Sequence, residues 1–212
     1  MRILVTGGAG FIGSNFVRRT IEDAYPGLEG AEVVVYDALT YSGNLANLAP
    51  IADSPRYTFV HGDILDAKLL DATLPGIDAI VHFAAESHVD RSVTDAGSFV
   101  ETNVVGTQRL LDAAMRAGTP RFVHVSTDEV YGSIAEGSWD EARPLEPNSP
   151  YSASKAGSDL LVRSFTRTHG LNASITRCSN NYGPYHFPEK VIPLFVTNLI
   201  DGKHVPLYGP GE

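Results

Sequence analysis

The stretch Arg2-Ile3-Leu4-Val5-Thr6-Gly7-Gly8-Ala9-Gly10-Phe11-Ile12-Gly13 decides the reading of the fold. A short apolar, β-branched run enters a glycine cluster, and a helical pattern from Ile12 to Ala24 follows. Strand, tight turn and helix in that order bring backbone N–H groups and a helix N-terminus up to a pyrophosphate. Gly7, Gly10 and Gly13 fit such a turn, while Gly8, Gly10 and Gly13 satisfy the G-x-G-x-x-G spacing, so two registers stay open. Asp37 follows the next apolar run, Glu32 to Tyr36, where a carboxylate is placed to accept both hydroxyls of an adenosine ribose. It would repel a 2′-phosphate, and no Arg or Lys follows nearby, so NAD is expected rather than NADP. Asp63 closes the third run, Tyr57 to His61, near where adenine would rest; it also reads as a helix N-cap ahead of Ile64 and Leu65.

Working outward, further strand candidates are Ala79 to Phe83, Arg121 to Ser126 and Ala173 to Arg177. They are nearly continuous apolar runs, as in parallel strands buried on both faces. Helical patterns lie between them at Ala67 to Ala72, Phe99 to Ala117 and Tyr151 to His169. This alternation predicts an α/β fold, a doubly wound parallel sheet of the Rossmann type. Prolines accumulate after Arg177, at positions 184, 188, 193, 206 and 210, around one short apolar patch from Val191 to Ile200. Residues 1–178 therefore read as an NAD-binding domain, and 179–212 as the beginning of a smaller substrate lobe that ends in mid-loop.

Composition narrows the function classes. The 212 residues are 43% hydrophobic and 19% charged, an ordinary globular balance. A net charge of −9 argues against nonspecific nucleic-acid or anionic-membrane binding. No apolar run approaches the ~20 residues of a membrane span. Cys178 is the single cysteine, so no intrachain disulfide can form, and a reducing, cytoplasmic setting fits. The seven histidines show no metal-ligand spacing, and no metal site is expected.

Chemistry concentrates in the second half. Tyr151 and Lys155 stand four apart at the start of a helix, hence on one face. A neighbouring ammonium and a positive nicotinamide ring would stabilise a phenolate, making the tyrosine a usable base. Ser126-Thr127 closes a strand at the sheet edge where such folds bind ligands. Asp128 and Glu129 follow directly, and structurally they could be solvated loop acids. Phe83-Ala84-Ala85 would let a cofactor come close, or would simply pack tightly. Asn103, inside a helical pattern, reads as a structural residue bonded to backbone.

The glycine loop together with Tyr151-Ser152-Ala153-Ser154-Lys155 resembles the extended short-chain dehydrogenase/reductases that act on nucleotide sugars. The blocks from Ser126 to Gly132 and from Arg177 to Lys190 are more specific, and resemble those of the dTDP-glucose 4,6-dehydratases. The resemblance implies a homodimer acting on dTDP-glucose, with Met115, Leu160, Leu161 and Phe165 as contact candidates. It implies Tyr151 as the base at the sugar 4-hydroxyl, Lys155 beside it, Asp128 as the acid and Glu129 as the base of water elimination. It adds Phe11, Ile12, Leu39, Thr40, Ile64, Ser87, Thr102 and Asn181 to the cofactor contacts. Ser87, Thr127, Asn180, Lys190, Pro206 and Tyr208 would hold the substrate. Family members continue past Glu212, which implies little or no dehydratase activity for a chain ending there. An epimerase or decarboxylase of the same superfamily, or a silent NAD-binding module, would share the glycine loop. The epimerase needs no acid–base pair, and the module needs none of Thr127, Tyr151 and Lys155.

Overall fold

The computed structural model describes residues 1–206. The chain divides into one unit of Met1–Ser179 and a second of Asn180–Glu212. In the first, β1 (Arg2–Thr6), β2 (Glu32–Asp37), β3 (Tyr57–His61), β4 (Ala79–His82), β5 (Arg121–Thr127) and β6 (Ala173–Cys178) form one parallel sheet. Its order is β3-β2-β1-β4-β5-β6. The direction of winding reverses between β1 and β4, opening a crevice at the carboxyl ends of the strands.

Alternation along β1 sorts its side chains between two cores. Ile3 and Val5 pack with Val17, Val33, Val35 and Leu48 beneath α1 (Phe11–Ile21). Leu4 faces the other way, with Val34, Ile80, Leu110, Phe122 and Val162. Over that second face lie α2 (Ala67–Thr73), α5 (Thr107–Ala117) and α6 (Pro150–His169). A central strand buried on both faces has no polar side to show, which is why its sequence does not alternate.

Helix ends follow local chemistry. Helix α6 opens on a capping box between Ser149 and Ser152, with Pro150 in its first turn, and closes at Gly170 with φ 72°. The pattern from Ile12 to Ala24 stops three residues early, because Asp23 turns left-handed (φ 57°) and bonds Arg56 and the Gly30 N–H. The single helix expected from Phe99 to Ala117 is instead α4 (Ala96–Phe99), a π-wound segment Val100–Gly106 and α5. The widened turn coincides with Asn103, whose amide bonds both the N–H and the C=O of Glu86, and with Gly106, where a Cβ would stand 2.6 Å from Ile64 Cδ1. Short helix α3 (Val89–Thr94) precedes it. In the second unit the apolar patch forms α7 (Val191–Ile200), none of whose residues is buried.

Candidate active site

The glycine loop is built where a side chain has no room. Gly7 takes φ 68°, and a Cβ there would stand 2.6 Å from the Ala84 nitrogen. A Cβ on Gly13 would stand 2.3 Å from the Gly7 carbonyl oxygen, and one on Gly10 would stand 3.3 Å from the same atom. The left-handed turn therefore sits at Gly7, and Gly10 closes it by donating its N–H to the Gly7 carbonyl at 3.2 Å. Gly8 is also confined, against Val35. Phe11 and Ile12 begin α1 immediately behind the turn. Ala84, just past β4, is the backbone the loop leans on, and its N–H donates to Thr6 Oγ1 at 3.4 Å.

Asp37 is a fixed carboxylate. Oδ2 accepts the Ala9 N–H and Oδ1 accepts the Leu39 N–H, each at 2.8 Å. Leu39 itself adopts φ 51°, and Thr40 beside it is exposed. A carboxylate has about four lone-pair sites, so two remain for a ligand. Asn47 braces the loop from the other side, donating to the Ala9 carbonyl at 2.9 Å. A loop without side chains and a carboxylate held against it fit the diphosphate and ribose of a dinucleotide.

Asp63 does not cap α2. Its carboxylate accepts the Leu65 N–H in a local turn, and Asp66 is the N-cap, accepting from Lys68 and Leu69. Ile64 is buried in the second core. Ser87 Oγ lies 3.4 Å from Tyr41 Oη, and Thr102 lies in the π-wound segment.

The second arm of the site is the end of β5. Thr127 caps a one-turn 3₁₀ helix, Asp128–Tyr131, accepting the Glu129 N–H at 3.2 Å while its hydroxyl faces Asp128 Oδ1 at 3.3 Å. The turn holds the two acids side by side in unlike surroundings, Asp128 exposed and Glu129 half-buried. Both line a cleft of about 520 Å³. Tyr151 lies beside this turn, close enough for the Thr127 hydroxyl and the Glu129 and Asp128 carboxylates to act on its phenol.

The protein's own groups raise the Tyr151 pKa rather than lower it. Burial holds its phenol well above the ordinary value, the Glu129 carboxylate adds to this, and only the Thr127 bond opposes. Lys155, 4% exposed, donates to the Val125 carbonyl at 2.8 Å. Burial pushes its ammonium down to about 8, against the pull of Asp159. The protein alone thus keeps Tyr151 protonated and leaves Lys155 near its titration point.

Missing from the sequence reading is the polar layer beneath these residues. Asp159 follows Lys155 by four residues on the same helical face, a spacing that was visible. Its Oδ2 accepts from Arg177 Nε at 2.8 Å, and Oδ1 lies 3.4 Å from His124 Nε2. His82 bridges Thr6 and Thr107 at 2.7 and 2.9 Å. Asn180, Asn181, Lys190 and Pro206 belong to the second unit, and Tyr208 lies outside the described residues. Among the described residues no group of three His, Cys, Asp or Glu could hold a metal, and no helix is long and apolar enough to cross a membrane.

Comparison with known proteins places this arrangement. A family model described as GDP-mannose 4,6 dehydratase matches residues 4–212. A dTDP-glucose 4,6-dehydratase from Streptomyces niveus is 64% identical over the whole chain, which spans 63% of that relative's length. One from Actinoplanes sp. is 59% identical, with 67% of it covered. The crystal structure of a dTDP-glucose 4,6-dehydratase from Streptomyces venezuelae with NAD and TYD bound is 67% identical, with a TM-score of 0.98. It is matched by all of this chain over 66% of its own length. A UDP-glucose 4-epimerase from Thermotoga maritima shares the fold at 32% identity and a TM-score of 0.89. From the match over nearly the whole chain and these identities, the chain belongs to the GDP-mannose 4,6 dehydratase family.

Proposed function

We propose that this chain carries the cofactor-binding and catalytic half of an NAD-dependent dTDP-glucose 4,6-dehydratase, a lyase that makes a 4-keto-6-deoxy sugar. The observation that carries the reading is the pair of acids on the turn capped by Thr127, set beside Tyr151. Oxidation and re-reduction at one carbon would need Tyr151 and Lys155 alone. Loss of water needs in addition a base and an acid placed on neighbouring carbons. The 64% and 67% identical relatives named for that reaction support the same choice over an epimerase.

The glycine loop, Asp37, Leu39, Thr40, Asp63 and Ile64 are the proposed dinucleotide contacts, joined by Phe83, Ala84, Ala85, Ser87, Thr102 and Asn181. When bound, NAD supplies the hydride acceptor at sugar C4 and the donor at C6. Tyr151 takes the proton of the 4-hydroxyl, oriented by Thr127. Because burial and Glu129 favour its phenol, positive charge must stabilise the phenolate; Lys155, four residues on along the same helix, is the proposed source within the protein. The 4-ketone acidifies the C5 proton. Glu129, half-buried, removes that proton, and the more exposed Asp128 protonates the departing 6-hydroxyl, so that water leaves; C5 is reprotonated once hydride has returned to C6. Asn180, Lys190, Pro206 and Tyr208 are the proposed substrate contacts of residues 179–212.

A cytoplasmic homodimer completes the proposal. Met115 and Leu160 stay exposed on α5 and α6, while Leu161 and Phe165 are partly buried against the core. The test is to incubate the longest natural form of the protein with NAD and dTDP-glucose. A 4-keto-6-deoxy product is expected, and a 4-epimer without it refutes dehydration. Light scattering showing a monomer at micromolar concentration refutes the dimer.

A further inference from the structure

Two arms of the site come from different elements: the acid turn after β5, and the Tyr151–Lys155 face of α6. Asp159 and Arg177 join them. Arg177, near the end of β6, donates Nε to Asp159 Oδ2 at 2.8 Å and Nη1 to Tyr131 Oη at 2.7 Å. Its guanidinium also lies over the Tyr131 ring, 5.0 Å from the centroid. Tyr131 is the last residue of the turn that begins with Asp128 and Glu129. Trp139 packs edge-on against Tyr131 at 5.9 Å, and Arg143 covers Trp139 at 4.8 Å. At the other end of the guanidinium, Asp159 is 1% exposed and one helical turn below Lys155.

We infer that Asp159, acting through Arg177, is a positioning residue that ties the turn bearing Asp128 and Glu129 to the helix bearing Tyr151 and Lys155, and serves as the counter-charge of the Lys155 ammonium. The inference rests on the proposed catalytic roles of those four residues. A pure staple between α6 and β6 would be served as well by two apolar side chains, since desolvation consumes most of what a buried ion pair gains. The groups around Lys155 make the charge matter. On α6 these are Tyr151 and Asp159; on β4 and β5, His82 and His124; on β6, Cys178, with Arg177 paired to Asp159. Burial keeps both histidines neutral, so among the described residues Asp159 is the carboxylate that opposes the desolvation of Lys155.

The experiment uses the full-length protein and Asp159→Asn, Asp159→Glu and Arg177→Lys. Titration of Lys155 by ¹³Cε-lysine NMR reads the counter-charge. Its midpoint should fall by about one pH unit or more in Asp159→Asn, and return toward the wild type in Asp159→Glu. Emission from Trp139, the single tryptophan, reads the tie to the turn. It should shift in Arg177→Lys, which keeps the charge and loses the fork, while the Lys155 midpoint stays within a few tenths of a unit. With dTDP-glucose, Asp159→Asn should lower kcat more than it raises KM and move the alkaline limb of the pH profile to lower pH. An unmoved Lys155 midpoint in a folded Asp159→Asn variant overturns the inference, whatever happens to its melting temperature. Should that variant not fold, Asp159→Ser, which also removes the charge, decides: a Lys155 midpoint unmoved from the wild type overturns the inference there too. The NMR and fluorescence readouts need no substrate, so a wild-type protein inert toward dTDP-glucose would sink the proposed reaction and leave this result standing on its own.

Discussion

On the β1–β2 side of the sheet the site is mostly backbone, with one fixed carboxylate; on the β5–β6 side it is made of side chains. Gly7, Gly10 and Gly13 act by having nothing to offer but room, and a Cβ at any of them would come within 3.3 Å of backbone. At the other end Thr127, Glu129, Tyr151, Lys155 and Asp159 influence one another through charge and burial. The first side is a shape that a single methyl group spoils. The second is a set of coupled protonation states, in which removing one group changes what its neighbours hold.

This contrast orders the expected effects. Asp128→Asn and Glu129→Gln should each slow dehydration by ~10²-fold or more, because no other acids sit on that turn. Oxidation at C4 should survive, so NAD reduction in a single turnover should still be seen; wild-type product formation in either variant would break the assignment. Gly7→Ala should act on binding instead. The left-handed φ and the crowding against Ala84 together cost about 2–3 kcal/mol, lowering NAD affinity by ~30-fold or more in calorimetry. An unchanged affinity would show that the loop can yield.

Acid should find the side-chain half first. Burial pushes His124 down to about 4 from 6.5, and His82 is lowered as well. The unfolded chain therefore takes up these protons before the folded one does, so stability present above pH 6.5 is lost as pH falls toward 4. For His124 the loss by pH 5 is about 2 kcal/mol. Urea unfolding at pH 7 and pH 5 measures it, and His124→Asn should flatten the difference. An equally steep loss in that variant would place the acid sensitivity elsewhere. The smallest effect concerns cofactor choice. Asp37→Asn keeps one oxygen to accept a loop N–H and removes the charge, so the preference for NAD over NADP should narrow by about tenfold. Equal affinities in the wild type would remove Asp37 from that role.

How far each half could be read from sequence follows from the same contrast. The glycine loop, the six strands and the Tyr151–Lys155 spacing are local patterns, and the structure places the strands within a residue or so of their apolar runs. Local pattern failed where a competing side chain intervened, whether three residues away or much further. Asp63 reads as a cap until Asp66 is seen taking both N–H groups of α2. The continuous helix from Phe99 is broken by a π-wound segment because Asn103 reaches the backbone of Glu86, 17 residues away.

What the sequence by itself determined is the order of the elements, the place of the turn that leaves room for a diphosphate, and which residue types stand at the strand ends. These follow from nearest-neighbour sterics and from periodicity, and both act over a few residues. Tertiary structure alone decided the register of the glycines, because the clash that selects Gly7 comes from Ala84 on another strand. It alone decided that Tyr151 keeps its proton and that Lys155 titrates near 8, because desolvation and charge act across space, between residues as far apart in the chain as Glu129 and Tyr151.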